Sequence, residues 1–402
     1  MTVPIDTLRR AFRERYGAAD GTLVLIRAPG RVNLIGEHID YNGLPVFPVA
    51  IQRHVALLAR PRGDAVVRVT SLAGGFGDRE FTISTEIPPH PTGDWVNYVK
   101  AAAQALARHH GPLRGFDAVI GSSLPVASGL SSSSALVIGV ALTVLTVNQR
   151  PVEVIPLAEE MARAERYTGT QGGGMDQAIS LGAREGMATR VDFHPLRMRS
   201  HPVPPGWRFV VASSMLRAEK SGPAQARYNE RTRECAAALA ALAGRVRLGS
   251  GGYPELLESH PVEELLALAE TVLADPVRRR FRHVVTEAHR VDECEGALMT
   301  GDLATFGRAL SASHLSLRDD YEVSIPELDE LVRIAEGAGA AGARLTGAGM
   351  GGCIVAVSGQ HAVDDVLAAL RRQFYLPRGV RETDDHCFVA EPSAGARAET
   401  LT

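Results

Sequence analysis

The sequence predicts an α+β protein with two lobes that share a cleft. As far as about residue 190, runs rich in β-branched residues alternate with runs of helical spacing. Beyond that point the pattern becomes mostly helical, above all between residues 263 and 336. A strand–glycine loop–strand pattern then returns in ARLTGAGMGGCIVAVSG. We therefore place the lobes at residues 1–190 and 191–402, and the second lobe can return strands to the first.

Strand and helix patterns follow one another through the first lobe. Turn residues separate strand-like runs in GTLVLIRAPGRVNLIG and HVALLARPRGDAVVRVTS. The run NYVKAAAQALARHHG predicts a helix that ends at Gly111, because Pro112 follows. A strand in GFDAVIGSSLPVASG leads into a glycine- and serine-rich loop, and SSSSALVIGVALTVLTVN predicts a long buried helix. The next helix, PVEVIPLAEEMARAERYTG, ends at Gly169.

The second lobe begins with a strand in RFVVASS and a long alanine-rich helix in SGPAQARYNERTRECAAALAALAG. After its helical middle and the glycine loop, HAVDDVLAALRRQF predicts a further helix. The residues from 392 onward are small and polar, which predicts a frayed tail.

Composition and charge exclude some classes of partner. With 402 residues, 45% of them hydrophobic and 22% charged, the chain can form a substantial core in each lobe. A formal net charge of −3 gives little electrostatic attraction for nucleic acid or for an anionic membrane. We expect neither as a partner.

The sequence also predicts a cytoplasmic protein. The four cysteines, Cys235, Cys294, Cys353 and Cys387, lie far apart without CxxC spacing, as buried thiols in a reducing compartment do. The N-terminal segment mixes charged and apolar residues, unlike a signal peptide. The longest apolar stretch, residues 135–147, is shorter than the roughly 20 residues that span a bilayer.

A cluster of polar residues surrounds an apolar strand in RAPGRVNLIGEHIDYNG. Arg31 precedes the apolar run, and Glu37, His38 and Asp40 follow Gly36 within four residues. A charged turn after a strand is the simplest interpretation. Four hydrogen-bonding side chains around a buried strand nevertheless suggest a site for a polar ligand.

A serine-rich loop, LPVASGLSSSSALVIG, precedes the buried helix. Exposed N–H groups and the helix dipole make a helix N-terminus a site for anions, and small side chains let a phosphate approach the backbone. A capping serine is the simpler interpretation, but four serines after Gly129 favour phosphate binding. The chain contains no GxxxxGK[ST] motif, and the loop is not a dinucleotide-binding fingerprint.

A third stretch, AERYTGTQGGGMDQAIS, places Asp176 at the start of a predicted helix. A carboxylate in that position stays ionised, which suits either a capping residue or a catalytic group that must carry charge. Three glycines directly before it, residues 172–174, favour the second interpretation.

The run RLTGAGMGGC is a weaker signal, which a tight hairpin also explains. Together with the serine loop, it can line the far side of a phosphate pocket.

Together these segments resemble the galactokinases of the GHMP small-molecule kinase superfamily. The run GRVNLIGEHIDYN resembles the galactokinase signature, LPVASGLSSSSAL the ATP motif of the superfamily, and RLTGAGMGGC its C-terminal glycine motif. DWVNYVKA, GGGMDQAIS and SHLSLRDDYEVSIPELDELV resemble further family segments, so the resemblance covers residues 24–357. It implies a two-lobed fold with the active site in the cleft. It also implies a monomer that uses ATP and Mg²⁺ to phosphorylate the C1 hydroxyl of galactose, giving galactose 1-phosphate.

The resemblance also assigns roles to single residues. Asp176 corresponds to the catalytic aspartate beside the anomeric hydroxyl, and Arg31 to the arginine that contacts it. The residues that bind the sugar would be Arg31, Glu37, His38, Asp40, Gly173, Asp176 and Tyr228. Those that bind ATP would be Trp95, Ser128, Gly129, Leu130, Ser131, Ser132, Ser133 and Ser134, and those that bind the metal Ser133 and Glu165.

This assignment explains the polar cluster, because a monosaccharide is ringed with hydroxyls. A site that pairs each hydroxyl rejects an epimer that leaves one unpaired, by factors on the order of 10⁴ in good cases. The cluster would therefore recognise the axial 4-hydroxyl that distinguishes galactose from glucose.

Three departures from the commonest galactokinase wording leave the sugar open. They are Ile39 where many have Thr, SGLSSSSA in place of GGLSSSA, and TQGGGMDQ in place of a Cys-Gly-Ile type. All three resemble a branch that contains N-acetylgalactosamine kinases and plant galactokinases. Tyr228 favours galactose, since the acetamido-sugar enzymes carry Phe there.

Two other functions are weaker alternatives. Non-catalytic sensors that bind galactose and ATP resemble copies with a damaged ATP motif, whereas residues 131–135 and Asp176 are intact here. Mevalonate and homoserine kinases share the ATP loop but lack GEHIDYN.

Overall fold

The computed structural model describes residues 3–18, 21–125, 128–169, 171–217, 223–246, 249 and 251–401. The strands are β1 (Leu23–Asn33), β2 (Pro48–Pro61), β3 (Val66–Ser71), β4 (Arg79–Thr82), β5 (Phe116–Ser122), β6 (Met187–Asp192), β7 (Arg197–Pro202), β8 (Trp207–Ser213), β9 (Gly342–Thr346), β10 (Cys353–Gly359), β11 (Cys387–Ala390) and β12 (Arg397–Leu401). The helices are α1 (Ile5–Tyr16), α2 (Val96–His110), α3 (Ser132–Val147), α4 (Val154–Glu165), α5 (Met175–Gly182), α6 (Pro223–Ala243), α7 (Gly252–Ser259), α8 (Val262–Val272), α9 (Val277–Thr300), α10 (Leu303–Asp319), α11 (Pro326–Gly337) and α12 (Val363–Leu370). Short turns of 3₁₀ or π geometry lie at Asp40–Asn42, Arg166–Thr168, Arg371–Tyr375 and Leu376–Arg378.

The first lobe is built on a six-stranded sheet in the order β12-β1-β2-β5-β3-β4. Neighbouring strands are antiparallel except β3 and β5, which are parallel. Side chains alternate between the two faces of β1, as a strand requires. Leu25 belongs to the small core under α1, with Leu8 and Phe12, whereas Val24 and Ile26 belong to the main core. The long apolar helix α3 packs against β1 and β2 on the main-core face of the sheet. Its residues are buried on almost every side.

The second lobe contains an antiparallel sheet in the order β11-β8-β10-β9. Helices α10 and α11 pack against β9, and α9 packs against α6, α8 and α10. The contact between α10 and β9 is close: Gly307 and Gly342 approach so nearly that a Cβ on either residue would overlap the other segment's backbone.

Two features describe how the chain passes between the lobes. Residue 190, where the sequence analysis places their division, lies inside β6, which pairs with β7 as a hairpin. At the other end, β12 pairs antiparallel with β1 and completes the first sheet. The predicted frayed tail is therefore wrong. Residues 397–400 expose their side chains, and backbone pairing with the edge of β1 gives this segment its order.

Several local predictions agree with the structure. Helix α2 ends at His110 with Gly111 as its cap, and the turn after α4 is capped by Gly169 in the left-handed conformation. All four cysteines are buried free thiols. None of the helices in the part of the chain that the structure describes is both long and apolar enough to cross a membrane.

The close contact of α10 with β9 gives a test of the second lobe. We expect Gly307→Ala to lower the free energy of unfolding by about 1–3 kcal/mol, because the new methyl group meets the rigid backbone of Ala341. Gly296→Ala, in α9, is the control. No heavy atom lies within 4 Å of its Cβ position, so alanine there should stabilise the helix by about 0.5–1 kcal/mol. Urea unfolding followed by circular dichroism measures both, and equal midpoints would contradict the close packing.

Candidate active site

One cleft collects most of the residues that the sequence singles out for sugar binding and catalysis. Its empty volume, with the adjoining open solvent included, is about 520 Å³. The predicted site residues that line it are Arg31, Glu37, His38, Asp40, Glu165, Gly173, Asp176 and Tyr228. The remaining lining residues include Gln177 of α5, and Gly347 and Ala348 of the C-terminal glycine motif.

A buried ion pair between Arg31 and Asp176 lies at the centre of this cleft. Arg31 is on β1, and Asp176 is in the first turn of α5, after Gly174 has reversed the chain at φ 111°. The Nε and Nη2 atoms of Arg31 each lie 2.8 Å from Oδ1 of Asp176. Burial favours the neutral form of Arg31, but the carboxylates of Asp176 and then Glu37 outweigh it and raise its pKa above the ordinary value. Arg31 is therefore charged at neutral pH.

The same arginine fixes the serine loop. Its Nη1 donates to the carbonyl of Gly129, and its backbone N–H donates to the carbonyl of Leu130 at 3.2 Å. Arg31 thus joins the predicted catalytic aspartate to the predicted phosphate loop.

The turn after β1 carries Glu37 and His38 into the cleft, and both side chains have partners there. The carboxylate of Glu37 pairs with Arg344 of β9 and accepts from the backbone N–H of Gly347 at 2.8 Å. The Nε2 atom of His38 lies 3.1 Å from the carbonyl of Ala348, so it carries the proton. Its Nδ1 then accepts from the hydroxyl of Tyr41, also at 3.1 Å. A sugar hydroxyl that reaches this ring must share or replace one of these two bonds.

Asp40, Gly173 and Tyr228 also line the cleft. Asp40 starts a 3₁₀ turn, and Gly173 lies so close that a Cβ there would overlap the Asp40 backbone. The ring of Tyr228, from α6, lies 5.5 Å from that of His38. Burial raises the pKa of the Tyr228 phenol well above its ordinary value, and the charge of Asp40 raises it further. Tyr228 is therefore a hydrogen-bond donor at neutral pH.

The serine loop leads directly into α3, as predicted. Ser131 adopts a left-handed conformation at φ 59°, and the helix begins at Ser132. The hydroxyl of Ser128 donates to the carbonyl of Pro125 at 2.9 Å. The hydroxyl of Ser131 is buried and has no hydrogen-bond partner among the described residues. A buried polar atom without a partner at a helix N-terminus fits a ligand with acceptor oxygens, such as a phosphate.

The C-terminal glycine motif lies against this loop. A Cβ on Gly347 would come within 2.6 Å of the carbonyl oxygen of Gly129, so the two loops touch through their backbones. This contact agrees with the interpretation that the motif lines the far side of the phosphate pocket.

Oxygen atoms from three elements meet at the start of α3. The hydroxyl of Ser134 donates to the carboxylate of Glu165, at 2.8 Å, and lies 3.4 Å from Oδ2 of Asp176. Gln177 also donates to Glu165. Carboxylate and hydroxyl oxygens are the ligands that Mg²⁺ prefers, so this donor set fits the metal. Among the described residues, no group of three or more histidine, cysteine or acidic side chains is placed to hold a metal ion.

The serine next to these carboxylates is Ser134, whereas the resemblance assigned the metal to Ser133. The side chain of Ser133 makes no hydrogen bond with any residue that the structure describes. Successive helical residues point about 100° apart, so Ser133 and Ser134 leave α3 in different directions. Trp95 lies at the start of α2, packs edge-on against Phe76 at 6.2 Å and does not line the cleft. Its contact with a nucleotide base stays a prediction.

Sequence reasoning missed the residues that hold Glu37 from the second lobe. Arg344 is completely buried on β9, and Glu287 and His283 are completely buried on α9. The sequence gives only a weak indication of these three residues. Each is a polar or charged side chain at a position where the spacing of apolar residues predicts the core.

Comparisons with known proteins agree with this geometry. The galactokinase galactose-binding signature matches residues 10–61, the GHMP kinases N terminal domain residues 97–183, and the GHMP kinases C terminal domain residues 294–376. A galactokinase of Roseiflexus sp. is 40% identical over 384 residues, 93% of each chain. The chain belongs to the galactokinase family. A galactokinase of Chloroflexus aggregans is 39% identical over 381 residues, again 93% of each chain.

Solved structures extend the agreement to the fold of the galactokinase-family chain. The crystal structure of Lactococcus lactis galactokinase complexed with galactose has a TM-score of 0.87 and 31% identity, and the match covers 98% of this chain and 99% of that one. A mevalonate kinase structure, 18% identical with a TM-score of 0.61, shares the fold. The two-lobed GHMP kinase fold predicted from the sequence is confirmed.

The contact between Gly173 and Asp40 gives a test of the cleft. We expect Gly173→Ala to raise the KM for galactose by about 10- to 100-fold, because a methyl group there displaces the 3₁₀ turn that carries Asp40. The KM for ATP should change little, since the serine loop is held by other contacts. Gly172→Ala is the matched control: its Cβ position has no heavy atom within 4 Å, and we expect a much smaller rise. Equal effects of the two variants in steady-state assays would contradict this account.

Proposed function

We propose that the protein transfers the γ-phosphoryl group of ATP to the anomeric hydroxyl of galactose and releases galactose 1-phosphate and ADP. The observation that carries the proposal is the Arg31–Asp176 pair, because it lies between the signature turn and the serine loop. A charged aspartate therefore stands where a sugar and a phosphate chain would meet. The galactokinases of Roseiflexus and Chloroflexus, and the galactose complex of the Lactococcus enzyme, support galactose as the sugar.

The polar residues of the turn would bind the sugar. Asp40 and Glu37 offer carboxylate oxygens as acceptors for hydroxyl donors, and the phenol of Tyr228 offers a donor. All three line the cleft, and Glu37 is held by Arg344, so its position is fixed before the sugar arrives. A fixed set of partners supports selection by hydroxyl orientation.

Asp176 would orient the anomeric hydroxyl and accept its proton. The buried guanidinium of Arg31 keeps this carboxylate ionised and limits its rotation, because two nitrogens contact one oxygen. A hydroxyl held against Asp176 would lie near the serine loop, because Arg31 contacts both, and in-line attack on phosphorus requires the two substrates to be held close together.

The backbone N–H groups at the start of α3, together with the hydroxyl of Ser131, would bind the phosphates of ATP. Glu165 and Ser134 would hold Mg²⁺, with Ser133 as the alternative serine. When bound, Mg²⁺ neutralises negative charge on the phosphates. The residues of this chain would align the phosphate chain with the sugar.

The proposal includes a monomeric protein in the cytoplasm. Four buried free thiols support a reducing compartment.

A coupled ADP-release assay with galactose and with N-acetylgalactosamine tests the function. We expect turnover on galactose and a fall in kcat of about 100- to 10,000-fold in Asp176→Ala, because the group that accepts the proton is lost. Asp365→Ala, an exposed acid in the first turn of α12, is the control and should retain full activity.

Other outcomes of that assay would change the proposal in defined ways. Turnover on the acetamido sugar alone would keep the mechanism and correct the substrate. Binding of both sugars without ADP release would replace the enzyme by a sensor.

The choice between Ser134 and Ser133 has its own test. We expect Ser134→Ala to raise the Mg²⁺ concentration for half-maximal activity by about 10-fold or more, because its hydroxyl lies beside both carboxylates. Ser133→Ala should have a smaller effect. Titration of activity with Mg²⁺ at saturating ATP measures both. A larger effect at Ser133 would show that the motif position, and not the observed contact, identifies the ligand.

A further inference from the structure

We propose that Glu287, on α9 of the second lobe, is a positioning residue for the sugar, because it holds the turn that carries Glu37, His38 and Asp40 into the cleft. It would raise the affinity for galactose and have little effect on the rate of the phosphoryl-transfer step. This inference rests on the proposed function, since it concerns the sugar of that same site.

Glu287 makes its contacts with the turn through one oxygen. Its Oε1 accepts from the backbone N–H groups of Gly36 at 3.0 Å and Glu37 at 3.1 Å, and from the hydroxyl of Ser313 at 2.8 Å. Its Oε2 accepts from Nε of Arg290 at 2.7 Å. The side chain is completely buried and does not line the cleft. It can influence a ligand only through the backbone it holds.

The acid is charged, which makes these bonds strong. Burial on its own would raise the pKa of Glu287, but positively charged neighbours, Arg290 first, lower it to about 2. Hydrogen bonds to an ionised acceptor contribute more than neutral ones, and a buried N–H that loses its acceptor is costly.

The backbone of the turn is not extended at Gly36, and it packs closely against its neighbours there. Gly36 has φ 92°, and a Cβ on it would come within 2.9 Å of the Val46 Cα and 3.0 Å of a methyl group of Val291 on α9. The turn is therefore pressed against the helix that carries Glu287. The backbone N–H groups of Gly36 and Glu37 both donate to Glu287, which belongs to the second lobe.

Two further residues hold Glu37 from the same side. Nε2 of His283, on α9, lies 3.0 Å from the carbonyl oxygen of Glu37, and Arg344 pairs with its carboxylate. The N–H, the carbonyl and the side chain of Glu37 are thus each bound by the second lobe. The hydrogen bonds from Arg31 to Asp176 and to Gly129 involve other atoms than these. A change at Glu287 should therefore affect sugar binding separately from the chemical step.

Kinetics of Glu287→Gln and Glu287→Asp test this inference. The first keeps the size of the side chain and removes its charge; the second keeps the charge and withdraws it by one methylene group. We expect the KM for galactose to rise about 10-fold or more in both, with kcat and the KM for ATP within a few-fold of the parent values. Glu295→Gln is the matched control. It lies on the same helix, pairs with Arg190 and His201 instead of the turn, and should leave the KM for galactose at the parent value.

Each outcome decides the question. An unchanged KM for galactose in either folded variant would overturn the proposal, and so would a loss of kcat with KM unchanged. If Glu287→Gln does not fold, the KM of Glu287→Asp decides. If the parent protein fails to release ADP with galactose, the proposed function fails, and calorimetric titration of the same variants with galactose still tests Glu287. A 10-fold weaker binding in both variants, with Glu295→Gln unaffected, would then support it.

Discussion

The buried pair of Arg31 and Asp176 is the contact on which the rest of the site depends. Removing either partner would leave an isolated charge in a buried position, which typically costs about 3–5 kcal/mol. The pair also fixes relative positions, because Arg31 belongs to β1, Asp176 to α5, and a third bond reaches Gly129 in the serine loop. One guanidinium group therefore fixes the relative positions of three segments that are far apart in the sequence. This explains why a charge can be stable beside the apolar core of the first lobe.

A second charged group orders the other half of the cleft. Glu37 pairs with Arg344, which also donates to the carbonyl of Leu34 at 2.9 Å, while Glu287 binds the backbone of the same turn. These acids and bases compensate one another, so the cost of burying each is offset by its partner. The turn that carries Glu37 thus belongs to the first lobe by sequence, and residues of the second lobe bind its backbone and its carboxylate. The cleft is a junction between lobes for this reason.

Local features of the site could be predicted from the sequence, and long-range ones could not. The signature turn, the serine loop and the glycine run before Asp176 are each contiguous, so their spacing carries the information. Arg344 and Glu37 are 307 residues apart, and no local pattern pairs them. The choice between Ser133 and Ser134 depends on the rotation of α3, which its packing against β1 and β2 decides. β12 is ordered because its backbone pairs with β1. The side chains of β12 do not predict this pairing.

The glycines of the cleft act mainly through close approach. Gly347 touches the carbonyl of Gly129, and Gly173 touches the backbone of Asp40; in each case a methyl group would separate two loops that must meet. Alone, the C-terminal glycine motif is a weak signal, since a hairpin also needs such residues. Its function becomes evident only beside the serine loop, where it brings Gly347 and Ala348 to the carboxylate of Glu37 and the ring of His38. The same motif therefore contacts both the serine loop and the turn that carries Glu37 and His38. A shift of this loop would change both sides together, so the two proposed substrate sites are linked through rigid backbone contacts as well as through Arg31.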